Sequence, residues 1–152
     1  MRIDQATVIR KNLILQKPYA IAGRMISDVE NICLIIQLEN GIIGYGAANP
    51  APEVVGESPI ESEEVLNKTV LPMLKGRNIC GFLGLIREIQ SLIPNNPGAL
   101  AAIDIALHDA YGKWAQISVV DFYGKHFNSL PTSVTIGIMN ADDTMKEAIH
   151  FY

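Results

Sequence analysis

Three residues able to do chemistry fall within one predicted helix, where Asp104, His108 and Asp109 bring two carboxylates and an imidazole about one turn apart. Carboxylate and imidazole groups ligate metals and carry protons. Only two ligands would come from this helix, and no partner cluster is evident elsewhere in the sequence. Ordinary contacts between residues i and i+4 on a helix surface are therefore the favoured interpretation. Asp104 has apolar neighbours and could instead cap a nearby helix end or loop amide.

Gly44 and Gly46 follow a strand-like run and invite comparison with the phosphate-binding turn of dinucleotide-binding proteins. The third glycine of that pattern is missing, and Pro50 and Pro52 follow where a helix would have to start. The sequence favours ordinary glycines at a strand end next to a turn.

The remaining polar residues specify no reaction by themselves. His126 and His150 have no companion residues, and no serine or cysteine has the surroundings of an activated nucleophile. An acidic patch is best explained by the preference of carboxylates for helix amino termini, although a catalytic pair within it stays open. The patch comprises Glu53, Glu57, Glu61, Glu63 and Glu64.

Size and composition indicate a globular protein. The chain has 152 residues, 49% of them hydrophobic and 18% charged, with a net charge of −4. This fits one compact domain, or a small domain plus part of another, and the absence of a Lys/Arg run gives no sign of nucleic-acid or membrane partners. The amino terminus lacks the layout of a signal peptide. Cys33 and Cys80 are expected to be buried free thiols, which favours a cytoplasmic location.

The first 48 residues predict a three-stranded antiparallel meander. Apolar, β-branched runs at 7–15, 32–38 and 42–46 are typical of strands, and the run at 32–38 should be covered on both faces. Asn40-Gly41 predicts a type I′ hairpin turn between the last two. Residues 17–27 are expected to form a loop, because Pro18 and Gly23 argue against a strand.

Helical patterns follow from residue 58. Ser58, Pro59 and Glu61 predict a capped helix start, Pro72 should end or kink that helix, and Gly76 should stop it. A second helix over 80–92 should bury a stripe of Leu83, Ile86, Ile89 and Ile93.

A third helix, capped by Asn96 and Pro97 and running to about Trp114, is rich in alanine. Small side chains let a helix approach its neighbours closely, so this helix should be central. Ser118 then opens a short helical turn that Gly124 closes.

The last twenty residues predict a strand at 133–138 and a helix capped by Asn140 or Asp143. One parallel strand with its helix cannot satisfy its own hydrogen-bond ladder, so this βα unit makes no sense as a self-contained domain.

Four stretches resemble the amino-terminal capping domain of the mandelate racemase and muconate lactonizing branch of the enolase superfamily. They are residues 18–21, 40–46, 52–58 and 101–110. The last is the most specific, since the long cap helix of that family carries the pattern Ala-Ile-Asp-x-Ala-Leu-x-Asp. Residues 132–138 look like the first barrel strand of its dipeptide epimerases, so the resemblance covers essentially the whole chain.

This resemblance implies an α+β fold in two parts. We expect an enolase-like capping domain over residues 1–128, built from the antiparallel meander and a helical bundle. Residues 129–152 would begin a TIM-type (β/α) barrel with its first strand and part of its first helix.

The resemblance also implies an isomerase that epimerises the α-carbon of the second residue of a dipeptide. One lysine removes the proton and another returns it, while Mg²⁺ stabilises the enediolate. In that family the lysines and the three acidic metal ligands lie on barrel strands two to six. None of those strands is expected in this sequence, so we expect no catalytic residue and no metal ligand here, and no activity from this chain alone.

Two residues would contact the dipeptide if the resemblance holds. Arg24, in a loop similar to the family's first specificity loop, could pair with a substrate carboxylate through its planar guanidinium. Thr135, in the first barrel strand, could hydrogen-bond the dipeptide through its hydroxyl. An apolar side-chain pocket could be shaped by Ile26, Val54 and Val55.

Two alternatives stay open. The same scaffold could carry a different reaction, such as cycloisomerisation or acid-sugar dehydration. The capping fold could also act as a non-enzymatic module that binds another protein. If the chain is part of such an enzyme, an apolar edge at 134–138 should cause aggregation or require a partner, either a second copy of the chain or the rest of a barrel. A binding module should instead be a stable, soluble monomer.

Overall fold

The structure is a computed structural model that describes residues 1–21 and 24–152. Its strands are β1 (Ile3–Ile21), β2 (Arg24–Leu38) and β3 (Ile43–Ala48). Its helices are α1 (Pro52–Val55), α2 (Pro59–Val65), α3 (Leu71–Leu74), α4 (Phe82–Leu92), α5 (Pro97–Ala115), α6 (Val119–Tyr123) and α7 (Ala141–Phe151). A π-helical turn at Leu66–Val70 joins α2 to α3, and a 3₁₀ turn at Ile79–Gly81 leads into α4.

The chain divides into two compact units. The first contains Met1–Lys11 and Glu30–Lys125, and the second contains Asn12–Val29 and His126–Tyr152. Both β1 and β2 therefore supply residues to each unit. No helix in the described part of the chain is long and apolar enough to cross a membrane.

The three strands form one sheet in the order β1-β2-β3, which confirms the predicted meander. β2 and β3 pair in antiparallel register, with Ile32 opposite Ala48 and Gln37 opposite Ile43. Every second residue of β2 from Ile32 to Leu38 is fully buried, whereas the residues between them are only partly covered. One face of this strand is therefore fully covered, as expected, and the other face is covered only in part.

The turn between β2 and β3 differs from the predicted type I′ turn. Gly41 has a φ of 83°, but among the described residues Gln116 alone has a positive φ without being glycine. Leu38 N–H donates to the Ile42 carbonyl at 2.8 Å, and Gly41 N–H donates to the Leu38 carbonyl at 2.8 Å. The connection is thus a three-residue loop that needs left-handed backbone only at its glycine, and Asn40 does not adopt it.

The predicted loop over 17–27 is wrong for the residues that the structure describes, because β1 continues to Ile21 and β2 starts at Arg24. Pro18 is tolerated because β1 is an edge strand, where a missing N–H need not interrupt the sheet. Gly23, on which the loop prediction also relied, lies outside the described residues together with Ala22.

The core of the first unit lies between the buried face of β2 and the helices. Helix α5 is central to it, as predicted, because it and β3 both present small residues. A Cβ atom on Gly44 would come within 2.5 Å of the Ala106 carbonyl oxygen and 2.6 Å of the Ala110 Cβ. Close packing on α5, rather than a phosphate-binding turn, accounts for the Gly-x-Gly pattern of β3.

The start of α2 is a capping box, as predicted. Ser58 Oγ accepts from Glu61 N–H at 3.3 Å, and the Glu61 carboxylate accepts from Ser58 N–H at 2.8 Å. The helical path continues through the π-helical turn, which ends immediately before the turn that carries Pro72. We attribute the π-helical geometry of Leu66–Val70 to Pro72. A proline in a regular α-helix collides with the carbonyl four residues earlier, and the wider turn avoids that collision. Gly76, with a φ of 76°, follows the end of α3.

The buried stripe of α4 differs in part from the predicted one. Phe82 and Leu85 are buried together with Ile89 and Ile93, whereas Leu83 is 41% exposed. Cys80, in the preceding 3₁₀ turn, is exposed and Cys33 is partly buried. Both thiols are free, but the expectation of burial is wrong for Cys80.

The second unit lacks the strand predicted at 133–138. Of this segment, Ile138 N–H donates to the Ala20 carbonyl at 2.9 Å, but no β-ladder is formed. A strand is defined by its ladder, and the described residues supply no parallel neighbour for this segment. Helix α7 is present as expected, and Asn140 caps it by accepting from Asp143 N–H at 2.9 Å.

Candidate functional site

The second unit contains a cleft of about 530 Å³. The end of β1, the start of β2, the segment after Ser133 and one side of α7 surround it. Its lining residues are Lys17, Pro18, Tyr19, Ala20, Met25, Thr135, Gly137, Ile138, Met139, Glu147 and Phe151.

The backbone of β1 approaches the segment 135–139 very closely in this cleft. Besides the hydrogen bond from Ile138 N–H to the Ala20 carbonyl, a Cβ atom on Gly137 would lie only 3.0 Å from the Tyr19 Cβ. A glycine at position 137 therefore lets the two segments meet.

One ion pair crosses the cleft, between Lys17 Nζ on β1 and the Glu147 carboxylate on α7. The Lys17 side chain is 65% exposed, while that of Glu147 is 21% exposed. Tyr19, Met25 and Phe151 contribute the largest apolar side chains on the β1, β2 and α7 sides of the cleft. The cleft thus offers a hydroxyl, an internally paired carboxylate and aromatic surface, which suits the binding of a small polar molecule.

The two residues predicted to contact substrate lie differently. Thr135 is exposed and lines the cleft. Arg24 is exposed at the first position of β2, next to the lining residue Met25, but the described lining does not include it. Of the three residues suggested for an apolar pocket, Ile26 is partly buried in β2, whereas Val54 and Val55 are exposed on α1 of the first unit.

Most of the other residues that line the cleft were not predicted from the sequence. Tyr19 lies within the stretch 18–21 that resembles the family, but the loop predicted over 17–27 includes it. Glu147 and Phe151 lie four residues apart, a spacing that puts them on the same side of a helix. That periodicity could have revealed their common side, but not what it faces.

The first unit has its own cavity of about 470 Å³ between β3, α5 and α6. His108 lines it and is 8% exposed. Its Nδ1 lies 2.9 Å from the Asp104 carbonyl oxygen, so Nδ1 carries a proton, since a carbonyl only accepts. In the neutral imidazole Nε2 then accepts from the Tyr123 hydroxyl. With Phe82 packed edge-on at 4.8 Å, His108 ties α6 to the core.

Asp109 has a separate structural role beside that cavity. Its carboxylate accepts from Tyr45 N–H at 2.8 Å and from Lys113 Nζ at 2.7 Å, and Lys113 also donates to the Ile43 carbonyl. Asp109, not Asp104, therefore holds a strand amide. Within residues 1–21 and 24–152, no three or more His, Cys, Asp or Glu side chains group in a way that could hold a metal ion.

Glu57 explains part of the acidic patch in a way that the sequence did not suggest. It is 1% exposed and caps α5, accepting from Gly98 N–H at 2.5 Å and Ala99 N–H at 3.3 Å. Ser62 Oγ–H and the Asn96 side-chain amide also donate to it. Asn96 occupies the cap position of α5 as expected, but its side chain makes no cap hydrogen bond there.

Shifted pKa values arise at exposed ion pairs and helix caps. Hydrogen bonds from Lys146 and then Asn140 lower the pKa of Asp143 at the start of α7. The guanidinium of Arg77 lowers the pKa of Glu88 by a hydrogen bond, and Glu88 raises the pKa of Arg77 in turn. A hydrogen bond to Glu30 likewise raises the pKa of Arg10. These shifts reflect hydrogen bonds at the surface of the protein.

The fold, an antiparallel sheet packed on helices, is that of an enolase-type amino-terminal capping domain. Residues 3–124 match the family described as mandelate racemase / muconate lactonizing enzyme, N-terminal domain. The chain belongs to this family.

Individual relatives are epimerases. The L-Lys-D/L-Arg epimerase of Desulforapulum autotrophicum is 40% identical over 148 residues, which are 97% of this chain and 42% of that protein. The L-Ala-D/L-Glu epimerase of Bacillus subtilis is 24% identical over 99% of this chain and 41% of its own length. The chain therefore spans about two-fifths of the relatives that it matches.

A solved structure agrees closely with this fold. The dipeptide epimerase of Methylococcus capsulatus, complexed with Mg and the dipeptide L-Arg-D-Lys, superposes with a TM-score of 0.94 and is 36% identical. The match covers 99% of this chain and 43% of that one.

Proposed function

We propose that this chain is the substrate-capping part of a dipeptide epimerase, an isomerase that removes and returns the proton on the α-carbon of a dipeptide. The observation that carries the proposal is its likeness, over 99% of its length, to an epimerase structure that holds a dipeptide. Because the chain spans 43% of that structure, the activity is assigned to the whole enzyme and not to these residues alone.

In this proposal the cleft of the second unit faces the substrate. The Thr135 hydroxyl hydrogen-bonds the dipeptide, and the walls formed by Tyr19, Met25 and Phe151 keep water away from it. Arg24, beside Met25, pairs with a carboxylate of the substrate through two parallel N–H donors. Such contacts fix the orientation of the reacting α-carbon, which accounts for a large share of rate enhancement in enzymes generally.

No residue of this chain is assigned to the metal. The Methylococcus capsulatus relative is complexed with Mg, which supports its use by the whole enzyme. The proposal places the metal outside the described residues, among which no three or more His, Cys, Asp or Glu side chains group together.

A dipeptide with basic side chains is the proposed substrate. The Desulforapulum autotrophicum relative, at 40% identity, acts on L-Lys-D/L-Arg, whereas the L-Ala-D/L-Glu epimerase is 24% identical. We also propose a boundary near residue 128 between the capping domain and the start of a barrel. The end of the family match at 124 and of the first unit at Lys125 supports it.

The test measures exchange of the dipeptide α-proton by NMR in deuterated water with Mg²⁺. Two proteins are compared, the 152-residue chain alone and the chain joined to the remaining part of the Methylococcus capsulatus relative. Exchange of L-Lys-L-Arg is expected from the joined protein only. Turnover by the 152-residue chain alone would contradict the proposal, as would a folded joined protein that exchanges no dipeptide.

Two variants of the joined protein test the contact residues. Arg24→Ala and Thr135→Val should each raise KM about tenfold, the effect of losing one charged or polar contact. Matched controls are Arg87→Ala, at an exposed position on α4, and Thr132→Val, three residues before Thr135. Equal KM values in variants and controls would remove Arg24 or Thr135 from the substrate site.

A further inference from the structure

Lys17 and Glu147 lie in the candidate cleft, but neither was expected there from the sequence. We propose that their ion pair positions the end of β1 against the segment that carries Thr135, which makes both of them positioning residues for substrate binding. The inference rests on the proposed function only in its last step, the consequence for the dipeptide.

The connectivity of the second unit supports this role. Tyr19 lies between two attachments of β1, namely the ion pair of Lys17 with α7 and the hydrogen bond from Ile138 N–H to the Ala20 carbonyl. Both Tyr19 and Thr135 line the cleft. The two attachments therefore fix the cleft wall on either side of Tyr19.

Glu147 pairs with Lys17 and not with the neighbouring lysine of its own helix. That neighbour, Lys146, pairs with Asp143 at 3.0 Å. Glu147 is mostly covered, so the loss of Lys17 would leave a carboxylate in a partly apolar cleft. Because Lys17 itself is mostly exposed, solvent weakens the pair, and its effect should be modest.

Gly137 completes the arrangement. Because Gly137 has no Cβ, Tyr19 can lie close to its backbone. With any larger residue at position 137, one of the two segments would have to shift. The hydrogen bond from Ile138 N–H to the Ala20 carbonyl depends on that approach. The rate at which this hydrogen bond opens therefore reports how firmly the end of β1 is held against the segment 135–139.

The experiment compares Lys17→Glu, Glu147→Lys and the double variant in the 152-residue chain. The readout is hydrogen exchange of the Ile138 amide. Each single variant should speed exchange about two- to fivefold, the range for a largely exposed ion pair. The charge-swapped double variant should restore most of the protection. The matched control, Glu64→Lys, breaks the exposed pair with Lys68 in the first unit and should leave Ile138 unchanged.

Unchanged exchange in the single variants, additive effects in the double variant, or an unprotected Ile138 amide in the parent chain would each overturn the ion-pair role. In the joined protein, Glu147→Lys should raise KM for the dipeptide about two- to fivefold with kcat retained. An unchanged KM beside faster exchange would overturn the link to substrate. A joined protein without epimerase activity would overturn the proposed function, while the exchange result would still decide the ion pair.

Discussion

Gly46 on β3 lies directly against Ala102 on α5, so closely that a Cβ atom on Gly46 would come within 1.9 Å of the Ala102 carbonyl oxygen. The obstacle is backbone, which cannot rotate away as a side chain can. The contact sets the distance between the sheet and the central helix of the first unit.

Gly46→Ala should consequently destabilise the chain by about 3 kcal/mol, at the upper end of the usual cost of overpacking a core. Urea denaturation followed by circular dichroism measures this. Gly84→Ala, in α4, is the matched control, because nothing lies within 4 Å of its added Cβ. There alanine should stabilise the helix by up to about 1 kcal/mol. Equal effects at the two positions would refute the close contact.

Glu57→Gln should weaken the start of α5. An amide NH₂ cannot accept the hydrogen bond that one carboxylate oxygen now takes from Gly98 N–H, and the negative charge at the helix amino terminus is lost. We expect a loss of about 2 kcal/mol in the free energy of unfolding. Glu64→Gln, at an exposed ion pair, should change it by no more than about 0.5 kcal/mol. A silent Glu57→Gln variant would contradict the buried cap.

Tyr123→Phe should destabilise the chain by about 1 kcal/mol, because it leaves the Nε2 atom of the mostly buried His108 without its hydroxyl partner. The same substitution in a His108→Phe background should cost clearly less, since no imidazole is left unpaired. A double-mutant cycle from chemical denaturation gives the coupling. Strictly additive costs would mean that the hydrogen bond contributes nothing.

The capping box should make stability depend on acid pH. The pKa of Glu61 lies below its ordinary value, chiefly because Ser58 N–H donates to the carboxylate and secondly because the Ser58 hydroxyl does. The unfolded chain therefore takes up the proton first as pH falls. The stabilisation is present above the unfolded pKa of about 4.3 and is lost as pH falls through the lower folded pKa.

Denaturation midpoints between about pH 3 and pH 6 test this dependence. The stability advantage of the parent chain over Glu61→Gln should shrink toward the acid end. Ser58→Ala, which keeps the backbone N–H, should retain part of the pH dependence. A difference between parent and Glu61→Gln that stays constant with pH would show that the carboxylate is not held as described.

Local features were predictable because neighbouring residues determine them. The capping box at Ser58, the start of α7 at Asn140 and the alanine-rich helix α5 follow from short-range hydrogen bonds and helical spacing. The antiparallel pairing of β2 with β3 likewise followed from two apolar runs around a glycine. The turn type was wrong, since the same residues also suit a three-residue loop.

The extents of the strands were less predictable. Pro18 argued for a loop, yet it lies within β1, because whether a proline is tolerated depends on the strand's place in the sheet. The segment 133–138 has a strand-like composition but forms no ladder, because a ladder needs a neighbour that composition cannot supply.

The candidate cleft was predictable only in part. Thr135 was identified through the family resemblance and lines the cleft, but its role and that of Arg24 stay predictions. The sequence by itself determined the caps of α2 and α7, the meander and the small-residue face of α5, because these depend on residues a few positions apart. Only the tertiary structure decided that Glu57 caps α5, that Gly46 meets Ala102 and that Lys17 pairs with Glu147. Each of those contacts joins residues at least 41 positions apart, and no local preference encodes which distant partner a side chain will meet.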